Sequence, residues 1–205
     1  MLDHLIELYY VVSQGLLAPV MLLLLLAMAA VIFQTGQTVR EGLERLWLGR
    51  AWRRFIEQLR QGKAAPSQWR DAASVGLPRQ VAKKANANAS DALRILIGDA
   101  ELDASRQLGK LQILIRVGPM LGLIGTLVPL GPALQGLSDS NFAEVGENLN
   151  IAFTTTVFGI LVGGVAYALY IQKRGWFDRD LHDLEGLAQT LQEQHHAAKA
   201  TPLAS

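Results

Sequence analysis

Three threonines within two long apolar segments are the residues of this chain whose type and position could do chemistry. Thr126 lies in VGPMLGLIGTLVPLGPAL (117–134), and Thr155 and Thr156 lie in IAFTTTVFGILVGGVA (151–166). A threonine hydroxyl donates and accepts hydrogen bonds, so it can contact a file of water or an ion in otherwise apolar surroundings. The hydroxyls therefore suggest an ion pathway, in which Thr155 is the weaker candidate because it points about 100° away from Thr156 on a helix.

Thr126 and Thr156 are predicted to lie at a similar depth in a membrane. On a helix that rises about 1.5 Å per residue, Thr126 lies about 15 Å from Arg116, and Thr156 lies about 12 Å from Asn148. Since the hydrocarbon core of a bilayer is about 30 Å thick, both hydroxyls are expected near its middle.

Glycines accompany these threonines at helical spacing. Gly118, Gly122 and Gly125 follow one another at intervals of four and three residues, and Gly159 and Gly163 are four residues apart. Small residues let membrane helices approach closely, so these glycines could line a pore or receive a partner helix. An alternative remains open: they could only pack the two segments together, with each threonine bonded to the carbonyl four residues before it.

Pro129 and Pro132 lie in the second half of the first of these segments. A proline removes a backbone donor and disturbs the helix before it, so both residues are hinge candidates. A static kink would explain them equally well.

Neither segment contains an ionisable side chain. No Asp, Glu, His, Lys or Arg occurs at 117–138 or 148–172. Proton relays across membranes use side chains that change protonation, and a threonine hydroxyl does not do so near neutral pH. If this chain conducts protons, the titrating carboxylate must therefore come from another chain. It would lie on a helix docked against the small-residue stripes, which are the two rows of glycines at helical spacing.

The elements that must hold these residues are membrane-spanning helices. Charge-free stretches at 8–39, 117–138 and 148–172 are each long enough to cross a bilayer. All 19 basic residues fall at 40–116 or after 172, which places those parts in the cytoplasm. The predicted segments are an outer N-terminal segment at 1–15, transmembrane helices at 16–36, 111–136 and 148–172, a cytoplasmic helical region at 37–110, an outer loop at 137–147, and a cytoplasmic C-terminal helix and tail at 173–205.

The fold class is predicted to be an all-α membrane protein, with three transmembrane helices and long cytoplasmic helical extensions. It is expected in the cell inner (cytoplasmic) membrane, with the N-terminus outside and the C-terminus in the cytoplasm. One helix is expected to run through 79–116 into the second span, because that stretch has no proline. Trp47 and Trp52 are expected at the level of the lipid headgroups.

Several functions are not supported by the residues present. The chain has no cysteine and no clustered histidines and carboxylates, so we expect no metal site and no cofactor. We also expect no enzymatic activity, because no nucleophile elbow or phosphate-binding loop occurs. The basic excess of the middle segment favours contact with membrane lipids and not with nucleic acid.

Two short motifs resemble those of a known family. GPMLGLIGT (118–126) resembles the glycine-rich GLxGT element of the MotA/TolQ/ExbB proton-channel family, and AFTTTVFGI (152–160) resembles its ALxxTxxGL element. The resemblance is to the three-span TolQ/ExbB-like branch. It implies a homo-pentamer whose second and third spans surround a single-span partner, similar to ExbD, TolR or MotB, that carries a membrane aspartate.

The same resemblance implies a function. The chain would be a proton (or sodium) channel subunit of a motor or energy-transducing complex that is driven by the ion-motive force. Thr126 and Thr156 would face the aspartate of the partner. The alternative function is a structural membrane scaffold that oligomerises through the small-residue stripes and recruits partners through a cytoplasmic stalk formed by its helical extensions.

Overall fold

The computed structural model of the chain describes residues 12, 15–65, 68–85 and 90–200, so most of the predicted outer segment at 1–15 lies outside the described residues. The described part consists of helices, their connections and no strand. The helices are α1 (Leu17–Trp47), α2 (Gly49–Arg60), α3 (Trp69–Ala72), α4 (Gly76–Lys84), α5 (Ser90–Ser138) and α6 (Phe142–Ala200). Three of them, α1, α5 and α6, are long and apolar enough to cross a membrane. The predicted all-α, three-span fold class is therefore confirmed.

The helices form two compact units. The first, called the apolar unit, contains the described residues up to Thr35 together with Lys110–Tyr170. The second, called the charged unit, contains Gly36–Gly109 and the described residues from Ile171 onward. The charge-free stretches that we interpret as membrane-spanning lie almost wholly in the apolar unit.

The apolar unit packs with few fully buried side chains. Ala27 and Val31 of α1 pack with Val162 and Ala166 of α6. Leucines on the remaining helix faces are exposed, among them the run Leu22–Leu26 except for the buried Leu24. A run of exposed leucines is favourable where lipid surrounds the helix, because lipid tails are as apolar as the side chain itself.

The connection between α5 and α6 is shorter than the loop expected at 137–147. α5 continues to Ser138 and α6 starts at Phe142. The turn is closed by the Asn141 amide, which donates to the Gly136 carbonyl at 2.7 Å. Asn141 also accepts a 3.4 Å hydrogen bond from the Glu144 amide at the start of α6. This capping lets the helix begin close to the turn.

The charged unit is built around a hydrophobic core. Its fully buried members include Leu77 of α4, Leu93 of α5, and Leu184 and Leu187 of α6. Trp52 belongs to the same core and is only 5% exposed, so its predicted place at the headgroup level is wrong. Trp47, by contrast, is 81% exposed. The two indoles differ because Trp52 lies on the amphipathic face of α2 that packs inward.

The single helix expected at 79–116 is also wrong. α4 ends at Lys84, and Ala85 has an extended backbone, with φ −78° and ψ 123°. The next described helix begins at Ser90. In the sequence, Asn86 and Asn88 lie between the two helices. Asparagine side chains compete with the backbone for hydrogen bonds, so a helix continues poorly through them.

Candidate ion-pathway site

The closest approach within the apolar unit is made by glycines of α5 and α6. A Cβ atom added at Gly159 would lie 2.7 Å from both the Gly118 carbonyl oxygen and the Gly122 Cα. A Cβ added at Gly122 would in turn lie 3.1 Å from the Gly159 Cα. Backbone therefore rests on backbone at this crossing, which is the arrangement that small residues permit in membranes.

Gly125 and Gly163 extend this contact in the two directions along the helices. A Cβ at Gly125 would meet the Cβ and the hydroxyl oxygen of Thr155, each at 2.7 Å. A Cβ at Gly163 would meet the Pro119 ring at 2.8 Å. The five glycines singled out in the sequence thus all lie where α5 packs on α6 within one chain. The three on α5 face α6, and the two on α6 face α5.

The three threonine hydroxyls all donate to carbonyls of their own helix. Thr126 donates to the Leu123 carbonyl at 2.6 Å. Thr156 donates to the Ala152 carbonyl at 3.2 Å. Thr155 lies within 3.0 Å of the carbonyls of both Ile151 and Ala152. Each hydroxyl proton is therefore used inside the helix, and the lone pairs of the oxygen remain as acceptors.

The threonines differ in exposure. Thr155 is 2% exposed and packs against Gly125. Thr126, the neighbour of Gly125, and Thr156, the neighbour of Thr155, are both half-buried. Within this chain, Thr155 therefore fills the contact between α5 and α6, while Thr126 and Thr156 lie beside it with part of their surface open.

The prolines of α5 do not interrupt its helical backbone. Pro119, Pro129 and Pro132 all lie inside the helix, which continues to Ser138. Pro129 is fully buried. Pro119 was not singled out in the sequence, although its ring is what Gly163 accommodates. The Gly-Pro pair at 118–119 was the available signal.

A buried charge network in the charged unit was also missed from the sequence. Arg45 of α1 donates to both carboxylate oxygens of Asp180 of α6, at 2.9 and 2.7 Å. Asp180 also accepts a 3.0 Å hydrogen bond from the Leu77 amide at the start of α4. Glu41 pairs with Arg45 at 3.1 Å and with Lys173 at 3.9 Å. The local signal in the sequence was the spacing of Glu41 and Arg45, which are four residues apart.

The environment shifts the pKa of two groups outside the charge-free stretches. Burial alone would lower the pKa of Arg45, but the hydrogen bonds and charges of Asp180 and Glu41 outweigh it and raise that pKa. Burial raises the pKa of Asp183, and the nearby positive charge of Arg60 only partly opposes this. Arg45 therefore stays charged, and Asp183 is the carboxyl that the fold disfavours in its ionised form.

Comparison with known proteins is consistent with this architecture. The model of the MotA/TolQ/ExbB proton channel family matches residues 57–186. A putative biopolymer transport protein ExbB homolog of Methanothermobacter thermautotrophicus is 33% identical over 82 residues, which cover 40% of this chain and 29% of that protein. Motility protein A of Cereibacter sphaeroides is 31% identical over 72 residues, which cover 35% of this chain and 28% of that protein.

These two alignments span less than a third of either relative, and no solved structure matches the chain. The family model, however, covers more than half of the chain, including the α5–α6 contact and part of the charged unit. This chain belongs to the MotA/TolQ/ExbB proton channel family.

Proposed function

We propose that this chain is the channel subunit of a complex that uses the proton (or sodium) motive force. In this proposal α5 and α6 line the ion pathway around a helix of a single-span partner similar to ExbD, TolR or MotB. The observation that carries the proposal is the half-buried pair Thr126 and Thr156, which flank the α5–α6 contact in a segment without ionisable side chains.

The hydrogen bonds define what these hydroxyls can do. Because each proton is donated to a backbone carbonyl, the oxygen can only accept. An oriented acceptor suits a water molecule that donates to it, or the protonated carboxyl of a partner. The titrating group would be the aspartate of the partner, since a threonine cannot store a proton near neutral pH.

The assembly and its orientation belong to the same proposal. A homo-pentamer in the cell inner membrane would place five α5–α6 pairs around the partner. The placement of the basic residues supports an outer N-terminus and a cytoplasmic C-terminus. Thr155 would support the pathway indirectly by fixing the helix crossing, and Pro129 and Pro132 remain proposed hinge positions.

A membrane scaffold is the second candidate function, and one observation favours it. Gly118, Gly122, Gly125, Gly159 and Gly163 are all used in packing α5 against α6 inside one chain. That packing needs no ion pathway. Under this alternative the threonine hydroxyls only satisfy their own helix.

Replacement of Thr156 by valine tests the channel function. The substitution removes the acceptor oxygen and retains the branched shape, so we expect proton flux to fall strongly in vesicles that contain the chain and its partner. Thr154→Val is the matched control, because Thr154 is exposed two residues away and its variant should conduct normally. Native mass spectrometry of both variants should show the same stoichiometry as the parent complex.

The scaffold function predicts the opposite pattern. Flux would then be absent from the parent complex, or equal in the parent and the Thr156→Val variant. Either result would refute the assignment of Thr156 to an ion pathway, provided that the complex is assembled.

A further inference from the structure

A polar pocket of about 490 Å³ lies within the charged unit. It is lined by residues of α1, α4, α5 and α6. We call this cavity the basic pocket. Its charged lining residues are Arg40, Glu41, Glu44, Arg79, Lys83 and Lys173. Four cations thus face two carboxylates, so the pocket carries a net positive charge.

Lys173 contributes a buried ammonium group to the basic pocket. Its side chain is only 5% exposed, and its Nζ lies 3.9 Å from Glu41, which is beyond hydrogen-bond distance. Glu41 is shared with Arg45. A buried ammonium is costly unless its charge and its three donors are satisfied, so the Lys173 group has capacity for a further anion.

Arg79 and Lys83 add two cations that are free to bind. They lie four residues apart on one face of α4 and line the same pocket. Neither forms an ion pair with any residue that the structure describes. The amide side chains of Gln80 and Gln107 also line the pocket and can donate hydrogen bonds.

We propose that the basic pocket binds a phosphate group, held by Lys173 at its base and by Arg79 and Lys83 at its rim. Phosphate offers several acceptor oxygens and a delocalised negative charge. It can therefore contact one guanidinium and two ammonium groups at once more fully than a single carboxylate could. The basic pocket shares no residue with the proposed ion pathway, and its existence does not depend on the channel function.

Two sources could supply the phosphate: the headgroup of an anionic phospholipid or a soluble phosphorylated compound. The positions along the chain are compatible with a lipid. Gln37 lies two residues beyond Thr35, and Lys173 lies three residues beyond Tyr170, the last residues of the apolar unit on α1 and α6. The experiment therefore uses one probe of each kind.

The test compares the full chain with the double variant Arg79→Gln/Lys83→Gln. Binding of inorganic phosphate is measured in detergent as a rise in the thermal unfolding midpoint over chloride at equal ionic strength. Binding of phosphatidylglycerol is measured by native mass spectrometry, as lipid retained in excess of phosphatidylcholine. We expect the double variant to bind at least one of these probes about tenfold more weakly than the parent, or worse.

Arg50→Gln/Arg54→Gln is the matched control. It removes two exposed cations with the same spacing from α2, and neither forms an ion pair with a described residue. Retention of phosphatidylglycerol alone would assign the site to a lipid headgroup, and binding of inorganic phosphate would extend it to soluble compounds. The proposal is overturned if the parent binds neither probe, if the Arg79/Lys83 variant binds both probes as tightly as the parent, or if the control loses binding as strongly as that variant.

Discussion

Removal of the Asp180 carboxylate is expected to destabilise the charged unit more than any exposed charge change on α6. Asp180 is 6% exposed and joins three helices. It accepts two hydrogen bonds from Arg45 of α1 and one from the Leu77 amide of α4. Asp180→Ala would leave the guanidinium with Glu41 and the Trp176 ring as its described contacts and would leave the Leu77 amide without the carboxylate that accepts from it.

The magnitude follows from these contacts. Removal of one partner from a buried ion pair costs about 3–5 kcal/mol, because the other charge stays buried. An orphaned buried amide costs about 1–3 kcal/mol more. Glu41 and the Trp176 ring, 5.0 Å from the guanidinium, still stabilise Arg45 and reduce the loss. We therefore expect the free energy of unfolding to fall by about 3–5 kcal/mol.

Tryptophan fluorescence during denaturant titration in detergent measures this loss. The four tryptophans of the chain all lie in the charged unit, so their emission reports its unfolding and not that of the apolar unit. Asp178→Ala is the control on the same helix: its carboxylate is 66% exposed and 3.7 Å from Arg174. That change should cost less than about 1 kcal/mol. Equal losses for the two variants would refute the argument that Asp180 joins the three helices.

Two further predictions concern the helix crossing and the titration of Asp183. Gly159→Ala should destabilise the α5–α6 contact by about 1–3 kcal/mol, because its Cβ would meet backbone atoms; Gly164→Ala, in open space, should not. Hydrogen exchange of the α5 and α6 amides should be faster in Gly159→Ala than in Gly164→Ala, and equal exchange in the two variants would contradict the prediction. Because burial raises the pKa of Asp183 above 3.8, the charged unit should lose stability from this group as the pH rises from 3.8 through the raised pKa. Asp183→Asn should lack that loss in fluorescence titrations repeated across pH, and an unchanged pH profile would contradict the assigned cause.

The sequence predicted the apolar half of the fold well, because a membrane imposes a simple requirement on composition. Charge-free stretches long enough to span a bilayer are visible without any tertiary information. The glycines were also visible, since close helix packing in lipid depends on small side chains at regular spacing. Which helix each glycine faces was not visible, so pore lining and packing inside one chain could not be distinguished.

The charged unit was predicted less well. Trp52 was assigned to the headgroup level, although the inward face of α2 buries it. A helix expected to run through 79–116 instead ends at Lys84, where the backbone of Ala85 becomes extended. In water, polar and apolar faces are distributed among several helices, so residue composition alone does not define a helix's partners.

The sequence by itself determined that this chain is an all-α protein with three long apolar stretches. It also showed that two of these stretches carry the three candidate threonines and contain no Asp, Glu, His, Lys or Arg. Tertiary structure decided that Thr155 rather than Thr156 fills the α5–α6 contact, because only the helix crossing fixes which side of α6 meets α5. It also decided that Arg45 pairs with Asp180, 135 residues away, and that Lys173, Arg79 and Lys83 share one pocket. Such contacts depend on how helices distant in sequence pack, and no local pattern of residues specifies them.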